Sequence, residues 1–247
     1  MRGIAIFIGL FYLSGCSSSD EVGSDELVMY CAAGMKNPVT RLAEDYRSEF
    51  DVNVRLHFGG SGTLLSSLQI VPGDLYLAAD ASYIDEAEEK GLVTKRFAIA
   101  SMKAGLGVPK GNPLEIRALN DLKKEEIRVG IGNPDAASIG RFTREVLTRH
   151  GFGEDFAPTV TFPTVNELAN AIKLNVVDVV IIWDAVASQY PEIDFVELPE
   201  FDAEKMVTIA ITAGSRNPEG AERFCQFLTD PEAGLPVFQQ EGFTVSE

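Results

Sequence analysis

Ser61 sits in "FGGSGTL", Phe58 to Leu64, where an alternating strand pattern runs into a glycine-rich turn and a helical pattern begins at once. Two chemistries use such a place. A serine on a strand-to-helix turn can be the nucleophile of a Ser-His hydrolase, here with His57 or His150 as base. Alternatively, the turn bares backbone N–H groups at a helix start, where they attract an anion. The hydrolase signature G-x-S-x-G needs glycine at position 63, and Thr63 stands there. His57 falls on the strand face opposite Phe58, turned to solvent or against a helix. His150 ends a helical run before Gly151, where an imidazolium simply favours the dipole. No triad pattern emerges, so the serine hydrolase using Ser61 is the remote reading. The anion reading explains why the turn is bare: an anion must approach its backbone, and Ser61 adds one hydroxyl.

Three more places share the feature. They are "CAAGMKNP" after the first strand pattern, "GIGNPDAASIG" at Gly130 to Gly140, and "PTVNEL" at Pro163 to Leu168. Each ends a strand and opens a helix through small or capping residues, at the positive end of a helix dipole. In an open α/β sheet such ends lie on one side, where ligands bind. Four together would cage a small anion without any Arg or Lys. Other chemistries find little support. The chain has two histidines and no C-x-x-C, which argues against structural zinc. "DEAEEK" lacks the spacing of a metal loop and reads as a solvated helix face. Cys31 and Cys225 lie among apolar neighbours, as two buried free thiols or as a disulfide in an oxidising compartment.

The elements that must position these residues alternate between strand and helix, which makes the chain α/β. "LVMYCAA" is a buried strand, and "KNPVTRLAEDYRSEF" a helix capped by Asn37 with Pro38 in its first position. "VNVRLHF" puts Val52, Val54, Leu56 and Phe58 on one face. "DLYLAAD" is a strand. "SYIDEAEEKG" is a helix with Ser82 and Asp85 as a capping box and Gly91 as its stop. "RFAIASMKAGLGVPKGNP" is a longer strand, and "LNDLKKEE" a short polar helix. "IRVGIG", "VVDVVIIW" and "KMVTIAITAG" are strands. "SIGRFTREVLTRHG" is a helix, and so is "TVNELANAIKLN", whose Thr164 and Glu167 form a capping box. Two helical pieces close the chain. No internal repeat is visible.

The 247 residues suffice for one large domain or two smaller lobes. The formal net charge of −16 argues against nucleic-acid binding, and it obliges any anion site to work by local groups. The first residues, "MRGIAIFIGLFYLSGC", have a basic start and an apolar run too short to span a bilayer, so they read as a signal segment. "LSGC" resembles the lipobox of bacterial lipoproteins. That resemblance implies cleavage after residue 15, acylation of Cys16, and a protein held by its lipid on the outer side of a membrane. Residues 16–26 are small, polar and acidic, as a tether should be.

In order and spacing, "YCAAGMKNPV", "FGGSGTL", "DLYLAADASYIDEAEEKGLV", "GIGNPDAASIG" and "EGFTV" make Leu27 to Val245 resemble the molybdate-binding periplasmic receptors of ABC transporters. The resemblance implies a type II periplasmic-binding-protein fold. Two α/β lobes, each a mostly parallel sheet flanked by helices, would close on a tetrahedral oxyanion in the cleft between them. Lobe one would be residues 27–101 and 209–247, lobe two residues 102–208. Ser61 matches the family serine that gives hydroxyl and N–H to the oxyanion. Ile139 stands where an alanine usually donates its N–H, and Val165 matches another backbone donor. Trp183 falls where a tyrosine usually donates, and its indole N–H is also a donor. Gly34 falls where the family usually has a second serine, so one hydroxyl is lost, and the larger indole is expected to fill part of that space. The implied ligand is molybdate or tungstate, with sulfate or a phosphonate as the alternative. The implied partner is an ABC permease, the state a monomer, and neither enzyme activity nor a cofactor follows. Fatty-acid labelling in the producing cell should tag the native chain and not the Cys16→Ser variant; equal labelling would remove the anchor.

Overall fold

The computed structural model describes residues 26–153, 156–201 and 203–245. The expected signal segment, Cys16 and the tether as far as residue 25 lie outside the described residues. Glu26, expected to end the tether, instead opens the first strand.

The first half of the chain runs β1 (Glu26–Ala32), α1 (Lys36–Phe50), β2 (Asn53–Gly59), α2 (Ser61–Leu68), β3 (Leu75–Ala78) and α3 (Ser82–Glu89). After the long β4 (Val93–Pro109), the same succession returns as β5 (Val129–Gly132), α4 (Ser138–Arg149), β6 (Val160–Phe162), α5 (Val165–Lys173), β7 (Val179–Trp183) and α6 (Asp184–Ala187). Then follow β8 (Ile193–Val196), β9 (Glu204–Thr212), α7 (Pro218–Leu228) and α8 (Gly234–Gln240). The sheet order is β2-β1-β3-β9-β4-β7-β5-β6, with β8 also on β4. Strands β2, β1 and β3 pair in parallel, and so do β6, β5 and β7. The two triplets are therefore structural echoes, although the sequence shows no repeat. An aspartate marks the echo. Asp74, just before β3, accepts from Val28 N–H at 2.8 Å, and Asp178, just before β7, accepts from Arg128 N–H at 2.9 Å.

Strand β4 belongs to both halves. Residues 93–103 pair antiparallel with β9, which in turn pairs with β3. Residues 104–109 pair with β7 on one side and β8 on the other. Glycines at 105 and 107 let this part be flanked closely: a Cβ on Gly105 would stand 2.7 Å from the Val196 carbonyl oxygen. The inner strands read as apolar runs because both faces are covered. All five residues of β7 are fully buried. Each such Val, Ile or Leu contributes about 1.5–3 kcal/mol of transfer free energy.

Several local expectations change. A 3-10 turn at Ala33–Met35 leads into α1, so Met35, not Asn37, precedes the helix, and Pro38 is its third residue. Asn37 instead donates to the Gln189 side chain at 3.0 Å. At α3 the capping carboxylate is Asp80, which accepts from Ser82 N–H at 2.9 Å; Asp85 faces Arg96. The Thr164–Glu167 box at α5 forms as read, and Gly91 adopts the left-handed φ of +65° that a helix stop favours. Phe58 is 37% exposed, because β2 is the edge strand and its outer end is uncovered. "LNDLKKEE" holds only a 3-10 turn at Leu119–Lys123. The strand expected to end at "PTVNEL" is β6, only three residues long, and the equally short β8 carries too little periodicity to show in the sequence.

Cys31 and Cys225 are both free and fully buried. Burial pushes both thiols up, that of Cys225 to about 12, so neither forms the reactive thiolate near neutrality. A thiol reagent at pH 8 should modify neither until denaturant is added, as peptide mass mapping would show; rapid labelling of the native protein would contradict this burial.

Candidate functional site

The echo of the two halves brings their strand ends together around one cavity. From the first half come the turn after β1 (Ala32 to Gly34), the turn after β2 (Gly59 to Ser61), and Ala79 after β3. From the second come Ala137 to Ile139 before and within α4, Val165 opening α5, and Trp183 ending β7. Gly34, Ser61, Ile139, Val165 and Trp183, five residues far apart in sequence, therefore line the same space. The cavity is about 10 Å³, near what one water-sized group needs. Among the described residues, no charged side chain and no histidine lines it.

Its donors are set by helix starts. Ser61 and Val165 are the first residues of α2 and α5, and Ser138 and Ile139 the first two of α4. Their N–H groups have no acceptor within the helix, and the dipoles make this region positive without any cation. The Ser61 hydroxyl accepts from Ala79 N–H at 3.2 Å, which leaves its proton free to donate. The Ser61 carbonyl is held by the Tyr76 hydroxyl at 2.8 Å, and burial raises that phenol well above its ordinary range, so it stays protonated. The Trp183 indole is fully buried against Phe142, ring centroids 5.7 Å apart. Its Nε1–H has no partner among the described residues. A buried indole N–H normally finds one, so this orphan marks a place for an acceptor. The next residue fixes the indole's strand: Asp184 accepts from the Lys103 N–H at 3.0 Å, where β4 passes between the halves.

One feature of the cavity lies outside the sequence reading. Ser138 is 5% exposed and supplies the only hydroxyl besides that of Ser61 among the lining residues. Its signal in the sequence is that serine is a common residue at a helix start, which by itself does not set Ser138 apart from Ile139 beside it. One expectation also fails. The indole does not fill the space of a side chain at position 34. A Cβ there would meet Val186 Cγ2 at 3.1 Å and Val165 Cγ1 at 3.3 Å, with no indole atom within 4 Å. The valines have closed that space. Neither histidine reaches Ser61: His57 is exposed beside Tyr30, and His150 is exposed at the end of α4.

The glycines of "GGSG" also make a contact. A Cβ on Gly60 would stand 2.3 Å from the Ala136 carbonyl oxygen and 2.6 Å from that of Pro163. One on Gly62 would stand 2.5 Å from the Asp135 carbonyl oxygen. Gly62 N–H and Thr63 N–H donate across to Ala136 at 2.9 and 3.3 Å. The backbones of the two halves thus meet directly beside the cavity.

Residues 27–244 match the family model of the bacterial extracellular solute-binding proteins. The molybdate-binding protein ModA of Escherichia coli is 24% identical over 252 residues, covering 95% of this chain and 94% of its own. Among solved structures, the periplasmic molybdate-binding protein of Azotobacter vinelandii is similar with a TM-score of 0.76 at 17% identity, over 90% of this chain and all of its own. The sulfate-binding protein SubI of Mycobacterium tuberculosis reaches 0.75 at 16%, over 88% and 86%. A periplasmic thiamin binding protein reaches 0.72 at 16%, over 87% and 80%. These likenesses fix the fold, that of type II periplasmic binding proteins, and leave the ligand to the cavity.

Gly60→Ala should push the halves apart while each keeps its own core, raising the radius of gyration in solution scattering; an unchanged value would mean that α2 and the facing turn do not meet.

Proposed function

Since the chain belongs to the bacterial extracellular solute-binding proteins, we propose that it captures a small, fully deprotonated tetrahedral oxyanion, molybdate or tungstate, and delivers it to an ABC permease. One observation carries the reading: a cavity of about 10 Å³ lined by helix starts, two serines and Trp183, whose buried indole N–H has no partner among the described residues, and by no charged side chain among them. Size argues against organic ligands, whose pockets run to about 300–1,000 Å³. Donor chemistry argues against phosphate, which keeps a proton near neutrality and needs an acceptor, commonly a carboxylate, for it. Molybdate, tungstate and sulfate are dianions without a proton to place. Sulfate or a phosphonate is the second reading, and the small cavity favours sulfate, the smallest of these ions. In either case Ser61, Ser138 and Trp183 donate from side chains, and Gly34, Ser61, Ile139 and Val165 from backbone. The lobes would open and close on the anion about the β4 crossing, with Cys16 as the lipid anchor.

The test is a thermal-shift panel of molybdate, tungstate, sulfate and phosphate. A ligand at about 100 times its Kd adds about 2.7 kcal/mol, a plain rise in Tm. A rise with molybdate and tungstate alone supports the first reading, one with sulfate supports the second, and a rise with phosphate or with none overturns the donor-only argument. With the ion so identified, Trp183→Phe and Ser61→Ala should each weaken binding about 10- to 100-fold, the loss of one hydrogen bond to a charged group. Unchanged affinity, read by calorimetry, would take that residue out of the site.

A further inference from the structure

Arg141 stands on α4, three residues beyond Ser138, and its side chain leaves the half of the molecule to which α4 belongs. Its Nη2 pairs with Glu86 Oε2 at 3.1 Å, and its guanidinium carbon lies 3.7 Å from the centroid of the Tyr83 ring. Tyr83 and Glu86 are both on α3, in the other half. Tyr83 is fully buried, so its ring is a fixed platform. The ion pair is shielded on both sides, with Arg141 30% and Glu86 34% exposed. Glu86 is also held by Lys90 at 2.8 Å. Burial pushes the Tyr83 phenol up to about 12, which keeps the ring neutral under the cation. A planar guanidinium can stack and pair at once, whereas an ammonium can only pair. A second cation crosses nearby, with Lys205 Nζ bound to Asp80 at 3.0 Å and 5.1 Å from the Phe142 ring of α4.

We propose that Arg141 is a closure latch: by tying α4 to α3 it holds the two halves together over the cavity, and so sets how slowly a captured anion leaves, without touching that anion. The coupling is short, because the helix it ties is the one whose first residues face the cavity. The latch rests on the reading of that cavity as a ligand site closed by the approach of the halves. A positioning residue of this kind acts on release more than on capture, since the latch forms after the ligand has entered. It also acts on the ligand-free protein, by shifting its balance between open and closed forms.

The experiment uses the full mature chain, with Arg141→Ala and Arg141→Lys beside the parent. Trp183 is the only tryptophan of the chain, so its fluorescence reads the cavity directly in stopped flow with molybdate, tungstate or sulfate. The alanine variant should release the anion about tenfold faster with a near-unchanged on-rate, the worth of a guanidinium stack plus a part-exposed pair. The lysine variant should fall between. Solution scattering of the ligand-free proteins should show a larger radius of gyration for Arg141→Ala than for the parent. Equal release rates and equal scattering would overturn the latch. Should none of the three anions change the fluorescence of the parent, the ligand reading has failed, and the ligand-free scattering alone upholds or overturns the latch. Should Arg141→Ala not fold, Glu86→Gln removes the ion pair and leaves the stack, and must shift both readouts in the same direction by less.

Discussion

The backbones of the two halves meet because position 60 carries no side chain. With a Cβ there, the Ala136 and Pro163 carbonyl oxygens would be too close to tolerate, and the start of α2 could not seat against the opposing turn. Gly62 N–H and Thr63 N–H then reach Ala136, while Ser61, between the glycines, keeps its own N–H and hydroxyl proton for the cavity. One tetrapeptide thus performs two tasks. Its bare backbone makes the contact between the halves, and its single serine faces what that contact encloses.

The site inherits its character from the echo of the halves. The first half contributes the 3-10 turn at Ala33–Met35, the start of α2 and a strand end, and the second the starts of α4 and α5 and a strand end, so backbone donors converge from opposite sides onto a small space. Ala79 and Trp183 are the matching strand ends, and the difference between them gives the site its one aromatic wall. A protein with a net charge of −16 could not attract an anion through its overall field. Oriented peptide dipoles at short range in a closed space do not need that field. Among the described residues, the same lining holds neither a carboxylate nor a histidine that could take up a proton.

The strand that passes between the halves is joined to the site. Asp184 follows Trp183 and accepts from Lys103 N–H, at the point where β4 exchanges β9 for β7 as its partner. Burial raises the Asp184 carboxyl above its ordinary range, while the two backbone N–H groups it accepts from pull the other way. On the far side of the cavity, α4 and α3 meet through Arg141 and Tyr83.

Much of this was legible in the sequence. Strong signals are local: apolar runs such as "VVIIW", the Thr164–Glu167 box, the Gly91 stop, and small residues where strands give way to helices. These gave the α/β class and the order of most elements, and they marked the bare turns; it was the resemblance to the molybdate receptors that singled out Gly34, Ser61, Ile139, Val165 and Trp183, all of which line the cavity. Ordered motifs identified the kind of fold before any coordinate. What local pattern could not reach depended on pairs of residues distant in the chain. The caps at α1 and α3 moved by a few residues, because tertiary contacts took Asn37 to Gln189 and Asp85 to Arg96. Strands β6 and β8 exist only because β5 and β4 offer them edges. The closed space beside Gly34, the Ser138 hydroxyl, and the guanidinium of Arg141 on Tyr83 are all contacts between separate helices or strands. By itself the sequence determined which backbone would be bare and which residues would sit at helix starts, because those are properties of neighbours along the chain. Tertiary structure alone decided what each bare backbone faces, because the distance from Gly60 to Ala136 is fixed by how two half-sheets pack and is written in no single stretch.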